Sequence, residues 1–154
     1  MKYEIGNMKY ERKRKHRISK EEESMTEPAI AKPARLKSFQ ERGHDFALEI
    51  IRLYIELSSR PVDQCIGKQL LRSGTSVGAQ LSESKRSRSR AEVISKTESA
   101  LQELEESVYW MKLLRDTAII KPQRVDALLE HADRLTAILI SGARKLKSRN
   151  NGTR

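Results

Sequence analysis

Residues 72–92 read RSGTSVGAQLSESKRSRSRAE. Apolar side chains keep a helical spacing here, with Val77 and Leu81 continuing the stripe of Ile66, Leu70 and Gly74, yet the turns between them are filled with Gly, Ser and Thr. In water each glycine costs a helix interior about 1 kcal/mol relative to alanine, so Gly74 and Gly78 together cost about 2 kcal/mol. Something must offset that. Small side chains at Gly74, Ser76, Gly78 and Ala79 let another helix backbone come nearer than leucine would, so the stretch predicts a helix buried by close packing.

Three further amphipathic segments flank it, and strand-like alternation is absent from Ser38 onward. Ser38 and Glu41 form a capping box opening a helix with Phe46, Ile50, Leu53, Tyr54 and Leu57 on one stripe, ending near Ser58. Pro61 suits the first turn of the next helix, with Asp63 near its positive end. Ser89 and Glu92 repeat the capping signature, and Ile94, Thr97, Leu101, Leu104, Val108 and Met111 follow a three-four rhythm. Pro122 opens the last helix, which carries Val125, Leu128, Ala132, Leu135, Leu139 and Leu146. Four helices of more than about 20 residues joined by short connections pack antiparallel to their neighbours. The expectation is an all-α, antiparallel up-down-up-down four-helix bundle over residues 38–149, with a disordered basic N-terminal tail over 1–37 and a disordered C-terminus over 150–154.

The tail expectation rests on composition. Residues 1–37 hold a basic block from Lys9 to Arg17, an acidic one from Glu21 to Glu23, and Pro28 and Pro33, with no helical or strand period. Met8 and Met25 are alternative starts. Over all 154 residues, 37% are hydrophobic and 34% charged. Lys and Arg number 31 against 21 Asp and Glu, a formal net charge of +10, which favours polyanionic partners. Cys65 is the sole cysteine, so the chain forms no internal disulfide or cysteine zinc site, and a cytoplasmic protein is expected. We expect Cys65 to be a small buried residue. No apolar run approaches the ~20 residues of a membrane span.

Beside the apolar stripe of residues 66–81 runs a polar one, Gln69, Arg72, Ser76, Gln80 and Glu83, and on the next helix Glu103, Glu106 and Trp110 stand beside the core positions. Arg72 is placed to meet these carboxylates as a buried, paired guanidinium. Tyr109 and Trp110, adjacent in a helix and so about 100° apart, cannot both face the core, and one of them is expected to cover a neighbouring subunit or a second-layer contact.

QLLRSGTSVGAQLSES followed by KTESALQELEESVYWMKLL resembles the bacterial four-helix-bundle proteins of the 23S rRNA intervening-sequence family. Gln69, Leu70, Arg72, Ser73, Ser76, Val77 and Glu83 fall on one family segment, and Glu103, Glu106, Tyr109, Trp110, Leu113 and Leu114 on another. The resemblance covers residues 38–147 and departs at Gln80, Ser82 and Met111, where the family usually has Asn, Ala and Leu. It implies a homo-oligomer, a ring-like pentamer, with no catalytic activity and no cofactor. It also implies kinship with the accessory proteins of diversity-generating retroelements, which bind nucleic acid and a reverse transcriptase.

The residues expected to bind nucleic acid are Lys85, Arg86, Arg88 and Arg90 of the serine-arginine run, with Lys145, Lys147 and Arg149 near the C-terminus. Those expected in helix packing or an oligomer interface are Arg72, Gly74, Ser76, Gly78, Glu83, Glu103, Glu106, Tyr109 and Trp110. With aromatics only 5% of residues, stacking platforms are scarce, so backbone attraction outweighs sequence readout. An adaptor that binds a protein such as a reverse transcriptase is the alternative. A metal-independent ribonuclease built on Arg124 and His131, one heptad apart, is a minor one. His44–Asp45 and Glu130–His131 lack the convergent ligands of a metal site.

Overall fold

The computed structural model describes residues 36–151, with side chains described through Ser148. Four helices follow in order: α1, Phe39–Ile55; α2, Pro61–Ser84; α3, Arg90–Asp116; and α4, Pro122–Asn151. Among the described residues there is no strand, in keeping with the all-α expectation. The expected tail, residues 1–37, lies outside the described residues except for Leu36 and Lys37.

Each helix start is fixed by local chemistry. Glu41 N donates to Ser38 Oγ at 3.2 Å while Ser38 N donates to Glu41 Oε2 at 2.7 Å, so both halves of the capping box are present. At α3 the box is displaced: Glu92 N donates to Ser89 Oγ at 3.1 Å, but the Glu92 carboxylate accepts from Arg88 N, one residue earlier, at 2.8 Å. At α2, Pro61 stands in the first turn and Asp63 accepts from the Ser58 hydroxyl and from Arg60 Nε at 2.9 Å. At 17 residues α1 is shorter than expected. Its end tightens, with Glu56 N and Leu57 N donating to the carbonyls of Leu53 and Tyr54, and Leu57 tucks into the core where Gly67 leaves room.

Cross-helix pairs show how the helices run. Along α1 the residues Gln40, Ile50 and Tyr54 meet Ser84, Gly74 and Gln64 of α2, ascending in one helix as they descend in the other. The same inversion holds for Ser73–Ser107 and Glu83–Lys96 between α2 and α3, for Glu98–Lys147 and Arg115–Asp126 between α3 and α4, and for Glu49–His131 and Glu56–Arg124 between α1 and α4. The helices therefore form a closed antiparallel ring of four, and α1 and α4 approach one another least.

Phe46, Ile50 and Leu53 of α1, Leu70, Val77 and Leu81 of α2, Leu104, Met111 and Leu114 of α3, and Leu128, Leu135 and Leu139 of α4 fill the centre. On α3 the buried stripe differs from the expected one. Ala100 and Ser107 are fully buried, whereas Ile94, Leu101 and Val108 stand half-buried at its edge. The cause is contact with α2, since the Ser107 hydroxyl reaches Ser73 Oγ at 2.9 Å and a larger residue would hold the two helices apart.

The glycines of α2 face α1. A Cβ on Gly74 would lie 2.6 Å from Ile50 Cγ1, and one on Gly78 would lie 3.1 Å from the carbonyl oxygen of Gly43. Helix propensity alone says that Gly74→Ala should stabilise by about 1 kcal/mol. Ile50 is β-branched and stiff, so overpacking of about 1–3 kcal/mol opposes that gain. We expect Gly74→Ala to lower the urea midpoint and Gly78→Leu, which drives a side chain at the α1 backbone, to lower it further; an unchanged midpoint for both would remove the close-approach account. Ala118, just beyond α3, has φ 53°, a left-handed conformation costing an alanine about 1–2 kcal/mol. Ala118→Gly is expected to raise the unfolding free energy by about 1 kcal/mol, seen as a higher urea midpoint in the same experiment.

Candidate functional site

The α2–α3 turn carries Lys85, Arg86, Arg88 and Arg90, all exposed. Gln40 Nε2 donates to Ser84 Oγ at 3.3 Å, and the Phe39 ring lies over Gly142, so the start of α1, the end of α2 and the last turns of α4 share one end of the bundle. The two basic runs that stand some 60 residues apart in the chain are thus brought together. Lys145 and Lys147 are exposed there, Lys147 paired with Glu98 at 2.5 Å, while the Arg149 side chain lies outside the described ones. Among the described residues Lys85, Arg86 and Arg88 make no ion pair.

This end is electrically lopsided. Residues 37–45, 83–98 and 144–148 hold ten Lys or Arg against five Asp or Glu, whereas residues 54–66 and 112–126 at the opposite end hold five against four. Lys37, Arg42 and Arg144 join the basic end without having been singled out from sequence. A signal existed for the first two, because cations at a helix N-terminus oppose its dipole and need another reason to be there.

The second feature is the polar seam between α2 and α3. The Arg72 guanidinium donates to Glu106 and lies 3.6 Å from Glu103 Oε2, and Trp110 Nε1 donates to Glu106 Oε1 at 3.0 Å. The expected pairing of Arg72 is present, but its side chain is 53% exposed and not buried, because α3 presents these carboxylates at the mouth of the seam. Those bonds, from Arg72 first and Trp110 second, hold the Glu106 carboxyl below the ordinary glutamate range. Glu83 pairs with Lys96 at 2.5 Å, and the Ser76 hydroxyl donates to the carbonyl of Arg72. Gly74 and Gly78 do not belong to this seam; they face α1. Tyr109 is 55% exposed, its ring edge-on to Trp110 at 4.9 Å. Gln80 Oε1 and Glu103 Oε2 are buried without a hydrogen-bond partner, the former at the position where the family usually has Asn.

Arg124 and His131 face α1, with Arg124 Nε donating to Glu56 at 3.0 Å and His131 Nδ1 3.0 Å from Glu49 Oε2. Glu49 and Glu56 are themselves one heptad apart, so the Arg–His spacing matches an antiparallel ladder between two helices. Cys65 is exposed, contrary to expectation, because the buried arc of α2 passes through Asp63, Gly67 and Leu70 on the other side. Among the described residues no group of three His, Cys, Asp or Glu side chains is placed to hold a metal ion, and no helix is long and apolar enough to cross a membrane.

The family model described as 23S rRNA-intervening sequence protein matches residues 36–141. Among solved structures, a protein of unknown function from the S23 ribosomal protein family of Bacteroides thetaiotaomicron is 33% identical, with a TM-score of 0.65, and the match covers 69% of this chain and 98% of that one. No curated protein matches the chain.

A pH series tests the seam. A carboxylate whose folded pKa is depressed contributes stability above its unfolded value, and that contribution is lost as pH falls through the folded value. Glu106→Gln is therefore expected to be less stable than the parent at pH 7, with the difference closing below about pH 4.3, the ordinary glutamate value. A gap that does not narrow at all as pH falls below that value, down to the acid limit of the folded parent, would mean that the charge of Glu106 is not what stabilises the seam.

Proposed function

The chain belongs to the 23S rRNA-intervening sequence protein family, and from that premise we propose that it binds the phosphate backbone of nucleic acid, structured RNA first, without catalysing a reaction on it. The observation that supports this most is the convergence of Lys85, Arg86, Arg88 and Arg90 with Lys145 and Lys147 at one end of the bundle, beside Lys37 and Arg42. Arginines and lysines gathered on a rigid frame neutralise several phosphates at once and release their counterions, a large entropic gain. Flexible side chains on exposed helix ends contact phosphate oxygens without reading base edges, so affinity is expected to vary little with sequence. The protein works in the cytoplasm on this reading.

A second reading, favoured by a separate observation, is assembly. Tyr109 stands exposed on Trp110, and in the α2–α3 seam Gln80 Oε1 has no hydrogen-bond partner and Glu103 Oε2 has only the Arg72 guanidinium at 3.6 Å. Another copy of the chain, in a homo-oligomer such as a pentamer, would supply apolar cover and donors there; a protein partner such as a reverse transcriptase would do so in an adaptor. Light scattering that gives the mass of one chain would remove the homo-oligomer.

Titration of structured RNA across a salt series tests the first reading. Binding should weaken steeply with salt, and replacing Lys85, Arg86 and Arg88 together by Gln should lower affinity for all sequences and reduce the logarithmic salt slope by about one per lost phosphate contact. Binding insensitive to salt, or none at low salt, would overturn it.

A further inference from the structure

The seam between α1 and α4 differs from the others. Here the helices stand apart and leave a groove of about 470 Å³ lined by Lys37, Arg42, Arg52, His131 and Arg134, with Leu48, Leu135 and Ile138 as its apolar part. Its acids are already engaged: Asp45 holds Lys37 at 2.6 Å and Glu49 holds His131 at 3.0 Å. The guanidiniums are less committed. Arg42 donates through Nε to the Lys37 carbonyl, Arg134 lies 3.6 Å from Glu130 on its own helix, and Arg52 has no hydrogen bond or ion pair among the described residues.

Asp45 and Glu49 are taken up by Lys37 and His131, so the guanidiniums of Arg42, Arg52 and Arg134 leave donors open to the groove. Arg42 and Arg52 are ten residues apart on α1, about 15 Å along its axis. Arg134 approaches from α4, one turn beyond the Glu49–His131 pair and on its Arg42 side. The groove begins at the basic end, where Phe39 covers Gly142, and runs from there toward the middle of the bundle.

We infer that this groove is the channel of a single-stranded nucleic acid segment, whose successive phosphates are held by Arg42, Arg134 and Arg52 and whose bases lie against Leu48, Ile138 and the His131 ring. The inference rests on the nucleic-acid reading above and specifies the strand form and path. A duplex carries its phosphates on a convex cylinder too broad for a cleft between two neighbouring helices, so it reaches only the rim. A single strand enters. Its backbone follows the line of cations, which carries most of the affinity in grooves that track a single strand, and its base faces cover the aliphatic wall of Leu48 and Ile138.

The test uses the full chain, a fluorescent ten-nucleotide uridine strand, and an RNA hairpin with a ten-pair stem, followed by anisotropy. The double variant Arg52→Gln, Arg134→Gln should weaken single-strand binding about tenfold and hairpin binding less than twofold. The rim variant Lys85→Gln, Arg86→Gln, Arg88→Gln should weaken both. Unchanged single-strand affinity in the groove variant, with the rim variant still impaired, would overturn the channel and leave the nucleic-acid reading standing; failure of the parent protein to bind either ligand would overturn that reading itself. An independent readout needs no variant. Photo-cross-linking of a 4-thiouridine strand to the parent protein should place adducts within residues 42–52 and 131–138, and adducts confined to residues 85–90 and 144–148 would sink the channel.

Discussion

The contact between α1 and α2 sets the shape of this bundle. Gly43 and Gly78 meet backbone to backbone, and the Ile50 side chain occupies the space that a Cβ on Gly74 would need. Helices packed through glycine approach at the short end of the usual 8–10 Å interaxial range. The α2–α3 seam is closed by a related device, Ser73 against Ser107. A ring of four helices drawn together on two successive sides by small residues opens elsewhere, and it opens between α1 and α4. That seam is bridged by long polar side chains, Arg124 to Glu56 and His131 to Glu49, which span a distance that alanine or glycine contacts could not.

Close packing of α2 also decides where α3 presents its side chains. Once Ser107 and Ala100 face inward, Glu106 and Trp110 turn to the mouth of the α2–α3 seam and Tyr109 turns to solvent. The Arg72–Glu106–Trp110 cluster follows from the small residues beneath it and does not itself hold the helices together. A half-exposed ion pair is weak as a stabilising interaction but orients the groups it joins.

The charge distribution runs partly against the helix dipoles. Lys145 and Lys147 sit favourably in the last turns of α4, but Lys37 and Arg42 stand at the start of α1 and Arg88 and Arg90 at the start of α3, where each cation is disfavoured by about 0.3–1 kcal/mol. Local contacts hold two of them, Lys37 through Asp45 and Arg42 through the Lys37 carbonyl, whereas Arg88 makes no ion pair among the described residues. The family match ends at residue 141, so Lys145 and Lys147 add to the basic end from outside the matched segment.

Much of the fold could be read from the chain because its signals are local. Ser38–Glu41, Ser89–Glu92, Pro61 and Pro122 mark four helix starts within reach of their own backbones, and apolar spacing places Phe46, Leu70, Leu104 and Leu135 in one core. The motif residues from Gln69 to Leu114 carried the family. Other features depend on partners distant in sequence. Periodicity favoured Leu101 and Val108 over Ala100 and Ser107 because larger apolar residues usually face inward, and only the closeness of α2 reverses that preference. Cys65 was misplaced because cysteine's tendency to be buried cannot say which arc of a helix faces the core. The glycines of α2 announced a close neighbour without naming α1, and the Arg–His heptad of α4 acquired its meaning from Glu49 and Glu56, some 70–80 residues away. The sequence by itself determined the helices, their caps and the excess of positive charge, all properties of residues within a few turns of one another. Which seam is tight, which is open, and that two remote basic runs share one end were decided only by tertiary structure, because each depends on how four helices divide a single core.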